Sequence, residues 1–214
     1  MPKGIPLTEE EIRRRRREVF RAALPVMTQK GFSATSMREI ADAAGIGKST
    51  LYDYFRTKDE VLLFAIEEAM DSMYSGALEI RNQPLPAIEK LYAIMKQELE
   101  TILQSKEFFM QIMVEAQKLG MHSQQRVIQM RYTYQDLIRG VIEQGVIEGS
   151  FRKVNSLLVA RILINAMSNV VYATRPTGSP EEMLKEVFEF TLMGVVAQGE
   201  ADLVALRARL EGTA

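Results

Sequence analysis

The sequence contains no cysteine and a single histidine, His122, so it offers no disulfide framework, no thiolate metal site and little material for a catalytic triad. A reducing compartment is compatible with that usage, and a cytoplasmic location is the expectation. Long apolar runs are missing as well. Arg161 and Asn165 interrupt the longest candidate before it reaches the roughly 18 residues of a membrane span. The opening M-P-K-G-I-P-L-T-E-E-E has no apolar leader core. No membrane partner is therefore expected. Neither sign of charge dominates, since the formal net charge is only -1. The balance is uneven along the chain, however: residues 1–60 carry 12 basic and 9 acidic residues, whereas the remainder carries 15 and 19. A modestly basic N-terminal segment is consistent with a nucleic-acid partner without establishing one.

Alternating strand patterns, internal repeats and low-complexity linkers are also lacking. What is present, 47% apolar and 26% charged residues over 214 positions, suits one small and one larger helical domain. The fold class expected is all-α. Residues 1–56 form the small domain in this reading, and 57–214 the large one.

The most informative stretch lies between Met37 and Phe55. Ser36 and Glu39 have capping-box spacing, which starts a helix near Met37. Ile40, Ala41 and Ala44 give it a narrow apolar face, and Gly45 stands where a helix end commonly needs positive φ. Ile46 is the buried residue expected in the turn and Gly47 the N-cap. Lys48 to Tyr54 then make a second short helix with Leu51 and Phe55 facing inward. So short a pair cannot stand alone. An upstream helix is available to back it: Thr8 and Glu11 form another capping box, and Val19, Ala22, Ala23, Val26 and Met27 supply an apolar stripe ending at Gly31. Pro25 inside that helix removes a backbone hydrogen bond and predicts a bend near Ala22.

Arg13 to Arg17 are consecutive, and five helical residues sweep more than a full turn, so they cannot all face one phosphate backbone. Two readings stand side by side: a DNA-facing arm, or a solvated helix start whose arginines pair with Glu9, Glu10 and Glu11.

From about Val19 to Leu62 the chain resembles the DNA-binding domain of the TetR family of bacterial transcriptional regulators. The resemblance rests on A-A-L near Ala22, G-F at Gly31, T-S-M-R-E-I-A-D-A-A-G-I from Thr35, then K-S-T-L-Y-D-Y-F and T-K-D-E-V-L. It implies DNA contacts from Thr35, Lys48, Thr50, Tyr52, Tyr54 and Lys58. Lys48, Tyr52 and Lys58 are expected on phosphates, and Thr50 and Tyr54 on base edges or thymine methyls. Packing on the first helix is the alternative for Tyr52. Ser49 stands where the family often has glycine, so its hydroxyl replaces a close backbone approach or the contact is lost. Asp53 belongs at the edge of the reading face.

Downstream, Thr57 and Glu60 open a long helix to about Arg81, closed by Pro84 and Pro86. Helices are expected over 85–104, 106–119, 123–148, 155–174 and 179–198, with a short one near the end. The helices over 155–174 and 179–198 carry apolar residues beyond a single stripe, which implies a second partner surface. Ile162, Ala166, Val187, Phe190, Gly194 and Ala197 are the candidate dimer interface, with burial inside one chain as the alternative; the resemblance likewise implies a symmetric dimer. Met73, Tyr74, Met95, Phe109, Met113 and Tyr132 are candidates for an apolar effector pocket, although most such side chains in a helical domain are ordinary core. Asn165 and Asn169 would bond an effector or each other across a dimer. His122 is placed in an inter-helix loop.

Enzymatic readings fail on the residues. G-K-S at Gly47 to Ser49 lacks the phosphate loop's earlier glycine, Asp42 standing in its place, and neither H-E-x-x-H nor G-x-S-x-G occurs. No cofactor is expected. The sequence thus points to a homodimeric repressor that leaves a palindromic double-stranded DNA operator when a small apolar or aromatic effector binds. The alternative is a partner-controlled or architectural DNA-binding factor with no small-molecule effector.

Overall fold

The computed structural model describes residues 7–104, 106–172 and 175–194. Those residues form helices α1 Glu9–Lys30, α2 Met37–Ala43, α3 Lys48–Tyr54, α4 Lys58–Arg81 and α5 Ala87–Leu103, followed by α6 Lys106–Ala116, α7 Met121–Ile147, α8 Ser156–Val171 and α9 Pro180–Met193. The all-α class is observed, with no strand among the described residues. Ala197 and the short terminal helix lie outside them.

Local chemistry accounts for the helix starts. Thr8 accepts from the Glu11 N–H while the Glu11 carboxylate accepts from the Thr8 N–H at 2.8 Å, a complete capping box, and Ser36 with Glu39 repeats it. Thr57 makes only half of one: its hydroxyl accepts from Glu60 N–H, but the Glu60 carboxylate returns to the Arg56 N–H at 2.8 Å. The helix α1 runs through Pro25, whose ring nitrogen cannot donate to the Arg21 carbonyl. Arg21 is exposed, so water can take that place.

The described residues divide into two compact units, 7–71 with 106–131 and 72–104 with 132–172 and 175–194. The first unit has a core of Val19, Ala23 and Met27 from α1, Ile40 and Ala41 from α2, Leu51 from α3, and Phe55, Val61, Phe64 and Ala65 at and beyond its end. Ile112 and Leu119 join that cluster. Phe64 meets Phe55 and Phe20 edge-to-face at centroid distances of 5.6 and 6.3 Å, a favoured arrangement of ring quadrupoles.

In the second unit α5, α8 and α9 pack on one another, and buried residues include Leu91, Ile94 and Leu99 of α5, Leu163 and Met167 of α8, and Leu184 and Phe188 of α9. Gly145 of α7 permits a close approach here, since a Cβ would fall 2.2 Å from the Phe151 ring. Two charged side chains enter this unit's interior. Lys90 donates to the Gln144 side-chain oxygen at 3.1 Å, and Glu98 accepts from the Tyr134 hydroxyl at 3.0 Å. Burial pushes the Glu98 carboxyl up to about 7, against the opposing pull of the Tyr134 hydrogen bond.

Because the folded protein keeps that proton up to about pH 7 while the unfolded chain releases it near the ordinary carboxyl value of 4.5, stability falls as pH rises between the two. The cost is complete above the upper value. Glu98→Gln, which needs no proton to stay neutral, is expected to stabilise the protein at pH 8 by up to roughly 3 kcal/mol and to have little effect at pH 4. Urea unfolding at the two pH values checks this; an equal effect at both contradicts it.

Candidate nucleic-acid interface

The turn between α2 and α3 is built from three backbone choices. Gly45 has φ 65, the left-handed value that side chains resist. Its N–H donates to the Asp42 carbonyl and the Ile46 N–H to the Ala41 carbonyl, at 3.1 and 3.0 Å, a Schellman ending that satisfies two carbonyls of α2. Gly47 then caps α3 with backbone alone, at φ -66. Ile46 is half-buried rather than buried.

Only one face of α3 is anchored. Leu51 and Phe55 are completely buried, whereas Lys48, Ser49, Thr50, Tyr52 and Asp53 are exposed. The Lys48 ammonium stands 5.9 Å from the centroid of the Tyr52 ring. Tyr52, 42% exposed, thus keeps part of its ring in the exposed face beside a cation. Tyr54 is half-buried against the unit's core, which leaves its side chain less free than that of Thr50.

One expected contact residue requires correction, and a second is already engaged within the protein. Thr35 is only 1% exposed; its hydroxyl donates to the Gly31 carbonyl at 2.8 Å and its N–H is bonded in the same turn. It closes the loop before α2 and has nothing left to offer a phosphate. The Lys58 ammonium donates to the Ser33 carbonyl at 2.7 Å and lies 4.7 Å from the Phe32 ring centroid. Its pKa is lowered by burial, with nearby Glu115 and Asp59 opposing. Lys58 is thus a tie between the start of α4 and the loop after α1.

The arginine run also resolves differently from the pairing expected with Glu9, Glu10 and Glu11. Arg14 and Arg15 meet Glu18 on their own helix. Arg13 binds Glu68 at 2.8 Å and also Asp71, and Arg17 grips both oxygens of Glu68. Arg16 donates to the Tyr54 carbonyl at 2.9 Å. Glu11 is already committed to its capping box, so the run reaches across to α4 and α3 instead. Partial burial works against ionisation of Glu68, but the Arg17 and Arg13 hydrogen bonds outweigh it and hold the carboxyl below its ordinary range. In α4, Glu68 and Asp71 are three residues apart on one face.

The candidate effector and interface residues are less concentrated. Met95 is buried, and Met73, Tyr74 and Phe109 are half-buried. Phe109 belongs to the first unit and the other three to the second. Tyr132, at 55% exposure, and Asn165 are exposed, so neither is enclosed within its own unit, contrary to their proposed place in a pocket. The side chains of Met113 and Asn169 lie outside the described residues. His122 stands exposed in the first turn of α7, not in a loop. On α8 and α9, Ile162 and Phe190 are exposed, Ala166 and Val187 are half-buried, and Gly194 is exposed with its carbonyl accepting from Arg152 at 2.7 Å. Among the described residues no helix is long and apolar enough to cross a membrane.

Comparison with known proteins places this geometry in a wider set. Residues 19–65 match the family model of bacterial regulatory proteins of the tetR family, and residues 84–195, just over half the chain, match that of the tetracyclin repressor-like C-terminal domain. The HTH-type transcriptional repressor KstR2 of Mycolicibacterium smegmatis is 24% identical over 200 residues, spanning 92% of this chain and 98% of that protein. Among solved structures, the transcriptional regulator FadR from Bacillus subtilis in complex with stearoyl-CoA shares the fold at a TM-score of 0.74 and 18% identity, covering 83% of this chain and 98% of that one. AibR in complex with isovaleryl coenzyme A and operator DNA does so at 0.66 and 20% identity, covering 82% and 97%.

The separation between scaffold and exposed face is measurable. Gly45→Ala is expected to cost about 1–2 kcal/mol of stability, because alanine resists the left-handed conformation. Lys48→Ala and Thr50→Ala are expected to stay within about 0.5 kcal/mol of the parent. Denaturant titration of the three variants tests the assignment, and an equal loss in all three contradicts it.

Proposed function

The chain belongs to the TetR family of bacterial regulatory proteins, and we propose that it acts as a homodimeric repressor that leaves a palindromic operator when an acyl-coenzyme A ester binds. The observation carrying the DNA half is the two-sided character of α3: Leu51 is sealed into the core, while Lys48, Ser49, Thr50 and Tyr52 stand clear of it. A helix so anchored can enter a major groove without rearranging its support. Lys48 and Tyr52 take phosphate positions in this reading, Thr50 reaches base edges, and Ser49 supplies a hydroxyl where backbone passes near the strand. Tyr54 contributes at the margin.

Dimerisation is supported by apolar surface left uncovered on α8 and α9. Leu157, Leu158 and Ile162 are exposed on α8, and Phe190 on α9 is 81% exposed. Covering a side chain of this size is worth about 1.5–3 kcal/mol. A two-fold pairing of α8 and α9 would make a four-helix interface and present two α3 copies to successive major grooves, about 34–36 Å apart. Asn165, exposed on the same helix, would then face the partner rather than an effector.

The effector class follows from likeness: FadR is in complex with stearoyl-CoA and AibR with isovaleryl coenzyme A. Met73, Tyr74 and Met95 are the side chains offered for the acyl chain. The functional division falls at residues 56 and 57, with DNA reading before it and effector control after it, in a protein working in the bacterial cytoplasm. A ligand that moves the population from 1:99 to 99:1 must prefer the released state by about 5.5 kcal/mol.

A duplex enriched from a random pool by the wild-type protein provides the assay. Lys48→Ala is expected to weaken binding and flatten the log-log salt slope by about one. Stearoyl-CoA or isovaleryl-CoA is expected to lower affinity at least about tenfold, a differential of 1.4 kcal/mol, while free coenzyme A does not. DNA binding that ignores every acyl ester would favour a partner-controlled factor. Ile162→Glu with Phe190→Glu is expected to give monomers by light scattering; an intact dimer contradicts the interface.

A further inference from the structure

The helix α3 has seven residues and ends in the carbonyl groups that every short helix leaves without an internal partner. No basic residue of its own lies in its last turn, and its N-cap, Gly47, has no side chain. Its C-terminal end is instead met from α1. The Arg16 guanidinium donates through Nε to the Tyr54 carbonyl at 2.9 Å and lies 5.2 Å from the centroid of the Phe55 ring. Phe55 is the C-cap of α3 and is fully buried, so the arginine holds both the last helical residue and its apolar anchor. The other members of the run do something different. Arg13 and Arg17 bind carboxylates of α4, and Arg14 and Arg15 bind Glu18.

We propose that Arg16 is a positioning residue for DNA reading, setting the rotation and tilt at which α3 presents Lys48, Thr50 and Tyr52 to a duplex. This rests on the reading of α3 as the recognition helix. Leu51 and Phe55 fix one side of a helix roughly 10 Å long, given its rise of about 1.5 Å per residue. Two apolar anchors on one side leave rotation about their common line weakly determined, because apolar contact is not directional. A charge-assisted hydrogen bond to the last carbonyl is directional and removes that freedom. Arginine suits the position, since a planar guanidinium can lie against a ring while donating at its edge. A lysine ammonium is a compact point charge without that geometry.

The test uses the full chain and two duplexes of equal length and composition: one enriched from a random pool by the wild-type protein, the other shuffled. Arg16→Ala is expected to weaken the enriched duplex about tenfold, the scale on which a hydrogen bond to a charged group acts. The shuffled duplex should change by less than about twofold, and the salt slope should stay as in wild type. Arg14→Ala, which removes equal charge without touching α3, should leave the ratio of the two affinities unchanged. Arg16→Lys keeps the charge and serves if the alanine variant fails to fold; it should recover only part of the discrimination. Equal weakening of both duplexes with the slope reduced by about one would make Arg16 a phosphate contact and overturn the proposal. So would unchanged affinity for both. A wild-type chain that enriches no duplex overturns the DNA reading itself, an outcome distinct from either.

Discussion

A seven-residue helix is far below the roughly 12–15 residues at which isolated helices become even marginal in water, so α3 exists only because something else holds it. The burial of Leu51 and Phe55 is that hold. It constrains everything around it: α1 must be long enough to back two short helices, the turn at Gly45 must close without a side chain, and Phe64 must stand where it can meet the Phe55 ring. The face opposite those anchors is relieved of any structural duty. Its lysine, serine, threonine and tyrosine can therefore be chosen for what they touch outside the protein.

Charge is handled in contrasting ways in the two units. In the first, arginines of α1 reach carboxylates of α4, and because these pairs are partly exposed each is worth only about 0–1 kcal/mol. Their value lies in direction, since they tie one helix to another at stated points. In the second unit Glu98 is enclosed with the Tyr134 hydroxyl donating to it, and burial keeps it protonated well above the usual carboxylate range. A proton, rather than a counter-ion, settles that charge.

The features legible in the sequence were those decided within a few residues. Thr8 with Glu11 and Ser36 with Glu39 set helix starts through bonds three positions long, and Gly45 marked its own turn by the conformation it permits. Leu51 and Phe55 were readable as core from helical spacing. Features decided by distant partners were not. The resemblance implies a DNA contact at Thr35, but its hydroxyl is spent on the Gly31 carbonyl, and Lys58 already gives one N–H to the Ser33 carbonyl. Arg13 and Arg17 have partners more than fifty positions away in Glu68 and Asp71, beyond the reach of any local spacing rule. Glu98 lies in an amphipathic helix whose pattern marks position but not the nature of a buried acid's partner. Similarity to known proteins bears out the family that the motif from Thr35 to Phe55 already resembled, while the roles of individual side chains rest on where this chain places them.

In the function proposed for this chain, two copies of α3 read one duplex together. Hydroxyl-radical footprinting on a duplex enriched from a random pool tests it most directly. Two protected patches on one face, about one helical turn apart and related by sequence symmetry, are the predicted result. A single patch, or protection without any fixed spacing, would contradict it.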